Sequence, residues 1–161
     1  MSKTSISQRI IGGWDKLHRK PCGKFLFSFL IGRFVPYSGS IGARVEELRP
    51  GYARLTLKDR KKVRNHLGSF HAIAMANLGE LTTGLAVIFG TPPESRSILR
   101  SLEVSYEKKA RGLLTSTCSC ELVSPTENTE YIIKAEIREE AVDVVSVVSA
   151  VWVIGPEKRA S

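Results

Sequence analysis

At 161 residues the chain is long enough for one domain with a sizeable core and too short for two. Hydrophobic residues make up 42% and charged residues 25%, the proportions of a soluble globular protein. A net charge of +8 points to an anionic partner: nucleic acid, a membrane surface, an acidic carrier protein or a phosphorylated small molecule.

Residues 5–33 read as helix, interrupted at Pro21-Cys22-Gly23. Their longest apolar run, residues 25–32, is too short to span a bilayer and has no small-residue cleavage pattern after it, so a signal peptide is not expected. With Trp14, Leu17 and the nearby Lys16, Arg19, Lys20 and Lys24, this segment makes one or two basic amphipathic helices. They are expected to pack on the domain or its dimer through Trp14 and residues 25–29 rather than to bind a membrane. Residues 36–40 read as a loop. Two strand-like runs then flank Arg49-Pro50-Gly51, where Pro followed by Gly suits the centre of a type II turn and gives a hairpin. A basic connection, residues 58–64, follows.

Residues 70–90 carry the strongest helical signal. The segment is apolar nearly all round, which predicts a helix buried on every side, and Gly79, Gly84 and several alanines would let neighbouring elements approach closely. One residue breaks the pattern. Between His71 and Phe89 the only carboxylate is Glu80, and no Lys or Arg occurs there. Gly90-Thr91-Pro92-Pro93 ends the helix.

Four strand-like runs complete the chain, at about 98–108, 113–123, 131–138 and 142–154, with connections short enough for an antiparallel sheet. In the third, Tyr131, Ile133, Ala135 and Ile137 alternate with Lys134, Glu136 and Arg138, giving a dry and a wet face. In the second, Cys118 and Cys120 share a face with Leu114 and Leu122. With Cys22 they make an odd number without a C-x-x-C spacing, so reduced thiols in a cytoplasmic protein are expected rather than a disulfide framework or a zinc site. An α+β fold in which one antiparallel sheet wraps a long central helix satisfies all these features.

That architecture, with Asn65, His71 six residues on and Glu80 nine further, resembles the hotdog-fold thioesterases, most closely the phenylacetate-degradation type. The resemblance covers about residues 40–154. It implies an N-terminal helical extension over 1–36, a hotdog domain over 37–155 and a C-terminal tail over 156–161. It also implies hydrolysis of acyl-coenzyme A or acyl-carrier thioesters, with no cofactor beyond the coenzyme A of the substrate and no metal. The working unit would be a homodimer or a tetramer with sites at the subunit interface. Two positions depart from the family pattern. The residues after the histidine are Ala72-Ile73 where Gly-Gly is usual, and the acid is Glu80 where Asp is common.

Glu80 would serve as general base or nucleophile, in apolar surroundings that raise its pKa. The resemblance assigns the oxyanion donor to the backbone N–H of Ala72 at the helix N-terminus. Asn65 would orient water or the thioester carbonyl, and His71 would position the helix start. His71 and Glu80, nine residues apart on one helix, are separated by about half a turn and about 13 Å of rise, so a site containing both needs two chains. Lys108, Lys109 and Arg111 follow the first long strand and suit the coenzyme phosphates; the alternative is a solvated turn.

Other readings stay open. Glu80 could be a structural acid paired with an arginine. His66, fourteen residues before Glu80, has the spacing of the acyl-carrier dehydratases without their H-F-P-G signature. The chain could also bind an acyl-CoA or acyl carrier without catalysis. A nucleic-acid-reading motif is absent, because the aromatics do not interleave with the basic runs.

Overall fold

The computed structural model describes residues 5–121 and 123–156. Leu122, expected beside Cys118, and the tail after Pro156 lie outside them.

Helix α1 (Ile6–Leu17) opens with a capping box in which Ser5 and Gln8 exchange side-chain and backbone hydrogen bonds. Helix α2 (Gly23–Phe34) begins against the end of α1. A Cβ on Gly23 would collide with the Leu17 carbonyl, so this tight corner requires glycine. Trp14, Phe27 and Ile31 join the main core, and the Trp14 ring meets Phe27 edge-on at 5.1 Å. Of the aromatics in residues 25–29, Phe27 alone joins this core. Phe25 and Phe29, 63% and 57% exposed, lie on another face of α2, where they line a cavity facing the β1–β2 hairpin, because helical residues two apart cannot share one face. Residues 36–40 are not an open loop; Pro36–Gly39 form a helical turn, α3, started by proline.

Strands β1 (Arg44–Arg49) and β2 (Tyr52–Lys58) form the expected hairpin, with Gly51 at φ +67° in its turn. Helix α4 (Ala72–Gly90) is followed by β3 (Ser95–Tyr106), β4 (Leu113–Ser119), β5 (Thr129–Glu139) and β6 (Asp143–Pro156). The six strands form one antiparallel sheet in the order β1-β2-β4-β5-β6-β3. The sheet wraps α4, which is the hotdog architecture. Gly79 permits the closest approach: a Cβ there would overlap the Val148 side chain on β6.

One detail goes beyond the sequence reading and one departs from it. The short 107–112 connection does not make a hairpin, since β3 pairs with β6 and not β4. It crosses the end of the β5–β6 hairpin, where Lys108 Nζ lies 2.6 Å from Asp143 and the Leu113 N–H donates to Glu140. Nor is α4 buried all round. Ile73, Ala76, Glu80, Gly84 and Ile88 recur every three to four residues and form a partly exposed stripe, with Ile73 54% exposed. By length and composition α4 could cross a membrane, yet 61% of its apolar window is buried inside the fold.

The two sheet edges are treated differently. Alongside β1 lies α2, whose Ser28 Oγ accepts a 2.9 Å hydrogen bond from the Val45 N–H. At the other edge β3, twelve residues long, carries no buried residue and, among the described residues, has no strand on its outer side.

Candidate active site

The expected site residues fall into two groups at different heights along α4. Asn65, His71 and Ala72 gather at its N-terminus. His71 is the N-cap, and its Nδ1 accepts a hydrogen bond from the Ile73 N–H at 3.1 Å. Ala72 is the first helical residue, and among the described residues its backbone N–H has no acceptor. The Asn65 side chain is engaged in the preceding turn. Its Oδ1 accepts from the N–H groups of Leu67 and Ser69 and from Ser69 Oγ, and its Nδ2 donates to the Phe70 carbonyl. Asn65 therefore builds the loop that leads into Ala72. His66 is exposed in the same turn, at this end of the helix and apart from Glu80.

Two further groups complete this end. The Phe70 N–H donates to the Ala110 carbonyl at 2.9 Å, and the Tyr106 hydroxyl donates to the Ala72 carbonyl at 3.0 Å. Burial pushes the Tyr106 phenol up, so it remains a protonated donor at neutral pH. Asp59 ties the two segments together, pairing with Arg64 at 2.6 Å and accepting from the Gly112 N–H. Its carboxyl sits below the usual range, chiefly through the Arg64 hydrogen bond. The basic 107–112 connection thus lies beside the α4 N-terminus. Its three cations are not equivalent, however. Lys108 is engaged by Asp143 and Glu139, whereas Lys109 and Arg111 are exposed and have no side-chain ion pair among the described residues.

Glu80 lies about 12 Å further along the helix, eight residues at 1.5 Å each. It is half-buried rather than enclosed, and no arginine or lysine pairs with it among the described residues. Burial raises its pKa above the usual carboxylate range, partly opposed by the Ser38 hydroxyl, which donates to Oε2 at 3.4 Å. The structural reading of Glu80 as half of an ion pair therefore has no partner here. The carboxylate lines a cavity of about 290 Å³ bounded by α1, α2, α4 and the start of β3. A larger cavity, about 540 Å³, lies beyond Ser38 and Leu81, between α2 and the β1–β2 hairpin, and Glu80 does not line it.

Sequence reasoning missed Ser38 and Tyr106. Each meets its partner across more than thirty residues of chain, and neither carries a local signal. Among the described residues, no cluster of His, Cys, Asp and Glu could hold a metal ion.

A curved antiparallel sheet around a central helix, with an open helix N-terminus and a lone half-buried acid, defines a hotdog-fold protein. Residues 23–154 match the sequence profile of the domain of unknown function DUF4442, and the chain belongs to that family. Among solved structures, a structural-genomics protein designated APC5556 is 28% identical, with a TM-score of 0.78, covering 93% of this chain and 97% of that one. A Pseudomonas aeruginosa protein of unknown function described as a "Probable Thioesterase" is 20% identical, with a TM-score of 0.71 over 80% of this chain and 93% of its own. A thioesterase from Staphylococcus aureus is 15% identical, with a TM-score of 0.65 over 75% and 99%. At these last two identities the likeness establishes the fold. No curated protein matches the chain.

Proposed function

We propose that this chain is an acyl-CoA thioester hydrolase whose site is shared between two subunits, with Glu80 as general base. The observation that carries this reading is Glu80 itself: an acid without an ion-pair partner, raised in pKa and open to an apolar cavity. Such a group is matched to taking a proton near neutral pH.

In the reaction, Glu80 removes a proton from water as the water oxygen attacks the thioester carbonyl carbon. The carbonyl oxygen becomes an oxyanion, held by the Ala72 N–H and the positive end of α4. Collapse breaks the carbon–sulfur bond. The leaving coenzyme thiolate takes the proton from Glu80, and the acid product carries the oxygen from water. His71 and Asn65 hold the Ala72 N–H in place, and Tyr106 braces the next peptide from β3 through the Ala72 carbonyl.

Ala72 and Glu80 of one chain are too far apart to address one carbonyl, so each site would take its Glu80 from one subunit and its Ala72 from the other. Two surfaces support a homodimer of this kind: the uncovered β3 edge, and the exposed α4 stripe at Ile73. Lys109 and Arg111 beside that helix end would meet the coenzyme phosphates, with Lys108 held back by its acids.

The test is a panel of acyl-coenzyme A thioesters with free-thiol detection. Wild-type protein should release thiol, and Glu80→Gln should be slower by at least about 100-fold. A wild type that binds acyl-coenzyme A without releasing thiol would overturn the hydrolase reading in favour of a binding module.

A further inference from the structure

The cavity beside Glu80 has a shape that bears on what it holds. On α4 it is lined by Glu80, Leu81, Gly84, Leu85 and Ile88, so it runs along the helix for about 12 Å, eight residues of rise. Its walls are apolar: Ile10 from α1, Ile31 and Val35 from α2, and Trp152 from β6 face the α4 residues. The far end is different. Ser5, at the start of α1, donates to the Pro93 carbonyl just past the end of α4, and Ser7, Ser95, Arg96 and Ser97 line the cavity with it. The cavity is therefore a slot with a carboxylate at one end, an apolar middle and a hydroxyl-rich far end. The N-terminal helices supply one whole wall.

We infer that this slot is the acyl subsite, built by the N-terminal helices to take a straight medium-chain aliphatic acyl group of about eight to ten carbons. The inference rests on the hydrolase reading for the position of the thioester beside Glu80. Two measures agree on the length. An extended alkyl chain with C–C bonds near 1.5 Å advances about 1.3 Å per carbon, so a 12 Å slot takes about nine. A cavity of about 290 Å³ holds about ten groups the size of a water molecule, which is close to the size of a methylene. A branched or aromatic acyl group fits less well, because Gly84 brings α4 against the Trp152 ring. A Cβ at that position would sit 3.2 Å from Trp152 Cη2, so the slot is narrow at its middle. Past Ile88 the walls turn polar, and further methylenes would leave the apolar environment that favours them.

The test is kcat/KM for butanoyl, hexanoyl, octanoyl, decanoyl, dodecanoyl and hexadecanoyl coenzyme A, for wild type, Ile88→Phe, Ile88→Ala and Ile10→Phe. In wild type the value should rise about three- to fourfold per methylene up to octanoyl or decanoyl and then level or fall. Ile88→Phe, which shortens the slot, should move the maximum to shorter chains, and Ile88→Ala should move it to longer ones. Ile10→Phe narrows the same slot from α1, so the inference can still be tested if an Ile88 variant fails to fold. In parallel, calorimetry measures the affinity of S-decyl-coenzyme A, a thioether that cannot be hydrolysed. If thiol is released but the profile is flat and unmoved by these variants, the subsite is overturned and the hydrolase reading survives. If no thioester is hydrolysed, S-decyl-coenzyme A binding weakened at least about tenfold by Ile88→Phe or Ile10→Phe sustains the subsite alone. Binding indifferent to both variants removes it.

Discussion

Ser38 Oγ donates to Glu80 Oε2 at 3.4 Å across 42 residues of chain, the one hydrogen bond to that carboxylate among the described residues. The helical turn α3 holds Ser38 against α4, so a residue just after the N-terminal extension partly opposes the rise that burial gives the acid's pKa. A hydroxyl that donates to a carboxylate favours its charged form. Ser38→Ala should therefore raise the Glu80 pKa further. Because the base acts only when ionised, the rising limb of the kcat/KM profile should move to higher pH, with a severalfold loss on its acid side and little loss on its plateau. A drop that is uniform in pH would mean that Ser38 acts on packing and not on Glu80.

Glu80→Gln should stabilise the fold at neutral pH while it abolishes activity. The Glu80 pKa is raised in the folded chain by burial, so the native state binds its proton more tightly than the unfolded state does. Stability linked to that proton is complete below the ordinary carboxylate pKa and is lost as pH rises through the raised one. The Tm of Glu80→Gln relative to wild type should therefore be most favourable at neutral pH and shrink toward acid pH. A Tm below wild type at neutral pH would show Glu80 to be structural.

Ala72→Pro removes one N–H and little else. Proline is favoured at the first helical position, and His71, at φ −68° and ψ 135°, already has the backbone that a following proline requires. The variant should keep its helical circular dichroism and lose about 10²–10³-fold in kcat if this N–H holds the oxyanion. Mixed under conditions of subunit exchange, Ala72→Pro and Glu80→Gln chains should recover part of the activity, since some heterodimer sites carry both intact groups. Exchange without recovery would rule out a shared site.

The three basic residues of the 107–112 connection should separate by function. Lys109→Ala with Arg111→Ala should raise KM for acyl-coenzyme A several-fold and flatten its dependence on salt, with kcat nearly unchanged. Lys108→Ala should leave KM alone and cost about 0.2–1 kcal/mol of stability, because its ammonium is held by the exposed acids of the β5–β6 hairpin. Equal KM effects at all three positions would show that the Lys108 ion pair gives way to substrate.

The sequence by itself determined the elements and their order. The apolar run before Gly90-Thr91-Pro92-Pro93, the Pro50-Gly51 turn and the alternation from Tyr131 to Arg138 are local patterns, set by side-chain periodicity and backbone preference. Each reappears in the fold with its ends moved by a few residues. Glu80 was legible as the odd residue of its helix for the same reason. The tertiary structure decided what those patterns cannot encode. Hydrophobicity placed α4 in the core without saying which side the curved sheet would leave open. The stripe from Ile73 through Glu80 to Ile88 emerges only when six strands close around the other faces. Strand pairing is a long-range choice that a short loop does not fix, so the 107–112 connection leads from β3 into a strand with which β3 does not pair. The spacing of Asn65 from His71 singles it out, and only the folded loop shows which hydrogen bonds its amide makes in the preceding turn. Ser38 reaches Glu80, and Tyr106 reaches Ala72, through contacts between distant segments, which depend on how α3 and the end of β3 settle on α4 and leave no mark in the residues beside them.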